Sequence, residues 1–123
     1  DELGAATCPA DAVLLADAEI VCPCALGAVI TQETAPAIRA HVVAGGANNQ
    51  LATGSEDAIL QERGIVYAPD YVINAGGIIN VLRHIDGAGD AEINARIDQI
   101  PGRLESIWRE SEASGQPAGT VAD

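Results

Sequence analysis

Three short clusters hold the residue types able to do chemistry in this chain: CPCALGA at 22–28, GGANNQ at 45–50 and APDYVINAGG at 68–77. In the second, Gly45, Gly46 and Ala47 lack bulk, so a flat ligand could lie against the backbone. Asn48 and Asn49 beside them offer donors and acceptors without charge, which suits a carboxamide or a carboxylate. The same residues also suit a βα turn in which glycine supplies positive φ and the asparagines cap a helix. In the first cluster, Pro23 can end a strand and Gly27 can let the chain pass close to a cofactor. Cys24 is a possible nucleophile, but neither His41 nor His84 is placed beside it by sequence, so a small buried thiol is the expected role. The two histidines read as surface or capping groups. In the third cluster, Gly76 and Gly77 interrupt an apolar helical pattern, and each glycine in a helix interior costs roughly 1 kcal/mol relative to alanine. A chain tolerates that where something must approach its backbone. Asn74 would supply a hydrogen bond there, and Ile78 and Val81, three apart, would share a face. Either they wall a ligand site, or the glycines allow close helix-to-sheet packing and the two aliphatics are ordinary core.

Metal chemistry finds little support. Cys22-Pro23-Cys24 is one residue short of C-x-x-C spacing, and a zinc site would need two further ligands from Cys8, His41 and His84. No metal site is expected. Three cysteines without a secretory signal read as reduced thiols of a cytoplasmic protein.

Positioning the clusters falls to three short apolar runs, AEIVC (18–22), HVVAG (41–45) and GIVYAP (64–69), each bounded by Gly, Pro or polar residues. They read as buried strands. TQETAPAIRA and SEDAILQERG lie between them and read as helices, the second with Ser55 as N-cap, Glu56 and Asp57 in its first turn and Gly64 at its end. This order predicts right-handed β-α-β-α-β units and a parallel sheet whose faces the helices cover. A helix over about 70–84 and a long amphipathic one over about 90–113 follow, the latter kinked or broken at Pro101. Residues 114–123 should be loose. Ligands of open parallel sheets bind at the carboxyl ends of the strands, and all three clusters fall on that rim.

With 123 residues and 48% apolar content, one core is expected. The chain carries 18 acidic residues against six basic ones, all arginine, for a net charge of −12. A phosphate backbone demands a basic surface, so nucleic acid is not an expected partner. The longest apolar runs fall short of the roughly 20 residues of a bilayer crossing, so no membrane association is expected. The opening DELGAATCPADAV has neither a basic region nor an apolar core of a targeting peptide.

In order and spacing, CPCALGAVITQET, VVAGGANNQL and ERGIVYAPDYVINAGGIINV closely resemble the nucleotide-binding domain of the Glu/Leu/Phe/Val amino-acid dehydrogenases, nearest the leucine and valine branch. The similarity covers nearly the whole chain and is densest from Cys22 to Val81. It implies reversible oxidative deamination of an L-amino acid to its 2-oxo acid and ammonia, with hydride passing to NAD. By that resemblance Ala25 and Leu26 match cofactor-contacting positions. Ala47 and Asn48 match residues beside the nicotinamide and its ribose, and Asn49, also a cofactor-binding position, matches one that in the phenylalanine branch helps hold the substrate carboxylate. Ile78 and Val81 correspond to residues lining the side-chain pocket. Two branched aliphatics favour leucine, valine or isoleucine, because burying each methylene gains roughly 0.8 kcal/mol whereas a charged side chain would be desolvated.

The resemblance also implies what the 123 residues lack. In the family, the catalytic lysine, a lysine for the substrate carboxylate and a proton-transferring acid lie in a separate N-terminal domain, and this chain has no lysine. No catalytic residue is expected in this segment. The glycine-rich dinucleotide fingerprint and the acid that grips the adenine ribose also precede the matched region. Residues 1–113 therefore read as the C-terminal half of a Rossmann-type dinucleotide-binding domain with trailing helices, followed by the 114–123 tail. The full-length protein would be a homo-oligomer. Alone, the segment is expected to be inactive, and the competing reading is a non-catalytic, truncated nucleotide-binding or assembly module.

Overall fold

β-Branched and aromatic residues build a small parallel sheet in a computed structural model that describes residue 2 and residues 4–123. Its strands are β1 (Ile20–Val21), β2 (Val42–Val43) and β3 (Val66–Tyr67), in that spatial order. Ile20 pairs with Val42 and Val42 with Val66; Val21, Val43 and Tyr67 form the next row. The alternation of strand side chains sends the two rows to opposite faces. The fold is α/β, as the spacing of the apolar runs predicts.

The row Val21, Val43 and Tyr67 is buried in a cluster with Ile30, Ile38, Leu60 and Ile65. On the other face the helices cover less than expected. Ile20 and Val66 stay 54% and 42% exposed. Burial resumes toward the carboxyl ends, where Ala44 and Ala68 pack with Val72, Leu104, Ile107 and Ala118.

The spacers differ from each other. SEDAILQERG forms α1 (Glu56–Glu62), ending near Gly64 at φ 71°. TQETAPAIRA yields only a single 3-10 turn, Ala35–Ala37. Pro36 removes a helical donor, and the Thr34 hydroxyl accepts the Thr31 N–H at 2.8 Å while donating to the Val29 carbonyl at 3.0 Å. Those local bonds compete with helix formation.

The expected 70–84 helix is two, α2 (Asp70–Ile73) and α3 (Gly76–Ile85), broken at Asn74 and Ala75. The long C-terminal helix is likewise α4 (Asp90–Ile97) and α5 (Ile100–Ser114), with Pro101 in the first turn of α5, where its missing N–H costs nothing. Where composition suggests a loose tail, residues Ala118–Ala122 form α6. The buried Asp57 carboxylate on α1 accepts the Gly119 N–H at 2.6 Å, and Tyr71 donates its hydroxyl to Asp123 at 2.8 Å. Burial pushes the Asp57 carboxyl up, partly offset by that Gly119 donor. Neighbouring Glu56 is also buried, which would raise it, but donors from Thr53 and Gln32 hold it below its ordinary value. Among the described residues, no helix is long and apolar enough to cross a membrane.

Candidate functional site

Backbone bonds first lock together the turns after β1 and β2. The Ala47 N–H donates to Pro23 O at 2.9 Å, the Ala28 N–H to Asn49 O at 2.6 Å, and the Ile30 N–H to Gln50 O at 3.0 Å. Glycine is what allows the approach. A Cβ on Gly45 would collide with the Pro23 backbone, and one on Gly27 would lie 2.6 Å from Asn48 O and 2.9 Å from Asn49 O. Gly27 and Gly45 therefore serve loop-to-loop packing, a role the sequence reading did not include, and neither takes the positive φ expected of a turn glycine.

Gln50 is the hub of the second turn. Its buried side-chain amide donates to Gly45 O at 2.6 Å and Ala47 O at 3.0 Å, curling residues 45–50 around itself. Its backbone N–H donates to the Asp70 carboxylate at 3.1 Å, which also accepts the Tyr71 N–H at 2.9 Å. Asp70 opens α2, so one carboxylate ties the second turn to the third. The third turn adds its own tie, because Asn74 Nδ2 donates to Asn48 Oδ1 at 2.6 Å. All three clusters thus meet on one rim.

Of the residues singled out by sequence, Ala47 is buried within this assembly, and Asn48 and Asn49 are exposed on it. Ala25 and Leu26 sit on the first turn, with Leu26 72% exposed. Ile78 and Val81 are outside the bonded cluster, on α3, which leaves the rim two residues beyond Asn74. They are 73% and 46% exposed, so they are not core of this chain. A Cβ on Gly76 or Gly77 would meet nothing within 4 Å, so packing inside the chain does not call for those glycines. That leaves room for a group from outside the 123 residues.

Cys24 differs from expectation. It is exposed, because the turn after β1 faces outward there, and its Sγ accepts the Gly46 N–H at 3.3 Å. Cys8 and Cys22 are exposed free thiols, and both histidines are exposed. Among the described residues, no three His, Cys, Asp or Glu side chains gather as metal ligands. Sequence reasoning missed Gln50 and Asp70. Their only signal was position, each beside a small-residue turn at a strand end.

Two concavities flank the scaffold. One of about 310 Å³ is bordered by Asn49, Gln50, Asp70 and Tyr71. A larger groove of about 480 Å³ lies between α1, β3 and α5, lined by Gln61, Val66 and Trp108, and touches none of the predicted site residues. The rim carries the predicted site residues and offers exposed neutral amides beside bare backbone, a surface suited to hydrogen-bonding a flat ligand.

Residues 2–108 match the family model described as Glutamate/Leucine/Phenylalanine/Valine dehydrogenase. The chain is 41% identical to leucine dehydrogenase from Bacillus subtilis (strain 168) over 123 residues, all of this chain and 34% of that protein. It is 41% identical to valine dehydrogenase from Streptomyces albus over 105 residues, 85% of this chain and 29% of that one. Its fold superposes on the crystal structure of L-tryptophan dehydrogenase from Nostoc punctiforme with a TM-score of 0.87 and 34% identity, covering 92% of this chain and 34% of that one. The chain spans about a third of the length of the curated relatives it matches.

Proposed function

Because the chain belongs to the Glutamate/Leucine/Phenylalanine/Valine dehydrogenase family, we propose that it is the nicotinamide-holding segment of an NAD-dependent enzyme. That enzyme oxidatively deaminates a branched-chain L-amino acid to its 2-oxo acid and ammonia. One observation carries the reading: three turns from three strand ends are bonded into a single rim that leaves the Asn48 and Asn49 amides facing out. Bound there, NAD supplies the hydride acceptor.

The chain's own residues bind and orient. Ala25 and Leu26 give the cofactor an exposed apolar surface, and the small, nearly buried Ala47 keeps the turn beside Asn48 low enough for it to approach. Asn48 and Asn49 hydrogen-bond it without adding charge, and Asn49 also takes the substrate carboxylate. Ile78 and Val81 contact the substrate side chain and exclude water from it. The side chains that Asn48 and Asn49 turn outward are neutral amides, which bind without moving a proton. The lysine chemistry implied by the resemblance belongs to polypeptide outside these residues, and the full-length protein would be a cytoplasmic homo-oligomer.

The absence of lysine from all 123 residues favours a second reading, a non-catalytic nucleotide-binding or assembly module. The deciding assay follows reduced-cofactor formation by the polypeptide carrying this segment, against leucine, valine, isoleucine, phenylalanine and glutamate with NAD and NADP. Turnover led by the branched-chain amino acids with NAD is expected. Binding without turnover would leave the module reading, and preference for glutamate would overturn the pocket assignment. The 123-residue chain by itself should form no reduced cofactor.

A further inference from the structure

We infer that Asn74 is a positioning residue that fixes which end of the Asn48 amide faces the cleft, so that Asn48 offers N–H and takes the carbonyl oxygen of the nicotinamide carboxamide. The inference rests on the cofactor reading above and deepens it. The backbone around Asn48 is already pinned on both sides. Ala47 donates to Pro23 O and accepts from Gln50 Nε2, and the Asn49 carbonyl accepts the Ala28 N–H. What remains free at Asn48 is rotation of its amide, which exchanges a donor for an acceptor at nearly constant shape. Asn74 removes that freedom, because its Nδ2 donates to Asn48 Oδ1 at 2.6 Å. The N–H₂ of Asn48 is thereby left for a ligand.

Asn74 is itself held in place. Its backbone N–H donates to Asp70 O at 2.9 Å, closing α2, and the Asp70 carboxylate accepts the Gln50 N–H. The position where α2 breaks from α3 is therefore tied to the loop it orients. The sequence shows two asparagines 26 residues apart; the structure makes them one donor–acceptor pair.

The substitution Asn74→Asp separates orientation from mere support. A carboxylate can only accept, so it would draw the Asn48 N–H₂ to itself and turn Asn48 Oδ1 toward the cleft. NADH can meet that change by turning its carboxamide, whereas the reduced 3-acetylpyridine analogue has a carbonyl and no N–H₂. We expect the analogue-to-NADH ratio of dissociation constants to rise roughly three- to tenfold in Asn74→Asp, the worth of one hydrogen bond. In Asn74→Ala both ligands should weaken together. An unchanged ratio in Asn74→Asp would overturn the inference. Side-chain amide NMR of the unliganded chain decides the polarity independently. The hydrogen-bonded N–H₂ should belong to Asn74 in the wild type and to Asn48 in Asn74→Asp; an Asn48 pair bonded in the wild type would overturn it. Failure of the wild type to bind either dinucleotide would instead count against the cofactor reading, with the NMR result still deciding the orientation.

Discussion

Ala28 and Asn49 face each other across the rim in the same unusual backbone conformation. The Ala28 N–H donates to the Asn49 carbonyl at 2.6 Å, and both residues sit in the left-handed region, at φ 54° and 52°. Among the described residues they are the non-glycine positions with positive φ. Asparagine visits this region with modest cost; alanine does so at roughly 1–2 kcal/mol. The strain therefore lies in the turn that brings the first cluster against the second, and the surrounding bonds must hold it there.

Ala28→Gly should relieve that strain. The gain is partly offset by the greater freedom of glycine in the unfolded chain, worth roughly 0.5–1 kcal/mol. A net stabilisation of up to about 1 kcal/mol is expected in chemical denaturation. A loss of stability would mean that the Ala28 methyl does more for packing than its exposure suggests.

Glycines that look alike in sequence should respond oppositely. Gly45→Ala drives a Cβ into the Pro23 backbone and should destabilise by roughly 1–3 kcal/mol, because neither turn can yield without breaking the Ala47–Pro23 bond. A Cβ on Gly76, the first residue of α3, would meet no atom within 4 Å beyond its own helix backbone, so Gly76→Ala should stabilise the helix, by less than the roughly 1 kcal/mol of an interior position. If a ligand or another part of the protein approaches Gly76, the same substitution will weaken ligand binding while raising the melting temperature. Thermal unfolding and ligand titration on the two variants separate these effects.

Asp57 sets a pH dependence of definite sign. Its carboxyl is raised by burial, so the unfolded chain, near the ordinary value of about 3.9, gives up its proton first as pH rises. Its contribution to stability is thus largest below the unfolded value and declines as pH rises through the native one. Asp57→Asn keeps an oxygen for the Gly119 N–H without a buried charge. The melting temperature of Asp57→Asn minus that of the wild type should increase from pH 3 to pH 7. A difference that is constant across that range would show that burial of the charge is not what Asp57 costs.

Much of this arrangement was legible in the sequence, because β-α-β crossovers leave few options. Once AEIVC, HVVAG and GIVYAP are strands of one parallel sheet, the residues after each must share a rim. The sequence could not show which small residues serve which purpose. Gly45 and Gly76 both stand in Gly-Gly pairs, yet one accommodates Pro23 and the other faces open space. Gln50 reads as one more amide after Asn48 and Asn49, and only the curled loop shows that its side chain points inward to its own carbonyls. The missing helix between β1 and β2 was hidden for a similar reason: Thr31 and Thr34 bond to each other and to nearby backbone through contacts that helical periodicity does not report.

The proposed pocket gives the most direct test of specificity. Ile78 and Val81 stand exposed on α3, so their apolar area is available to a substrate side chain. Shortening Ile78 to alanine removes three carbons and should enlarge the space they wall. Each methylene in such a pocket is worth roughly 1–3 kcal/mol of discrimination. In the polypeptide carrying this segment, Ile78→Ala should therefore lower the leucine-to-phenylalanine ratio of kcat/KM by about tenfold or more. Val81→Ser should act differently, since a hydroxyl there favours a polar side chain over an aliphatic one and should lower kcat/KM for leucine and valine together. If both variants keep the wild-type ranking of amino acids, α3 does not line the substrate pocket, and its apolar face must be covered by protein instead.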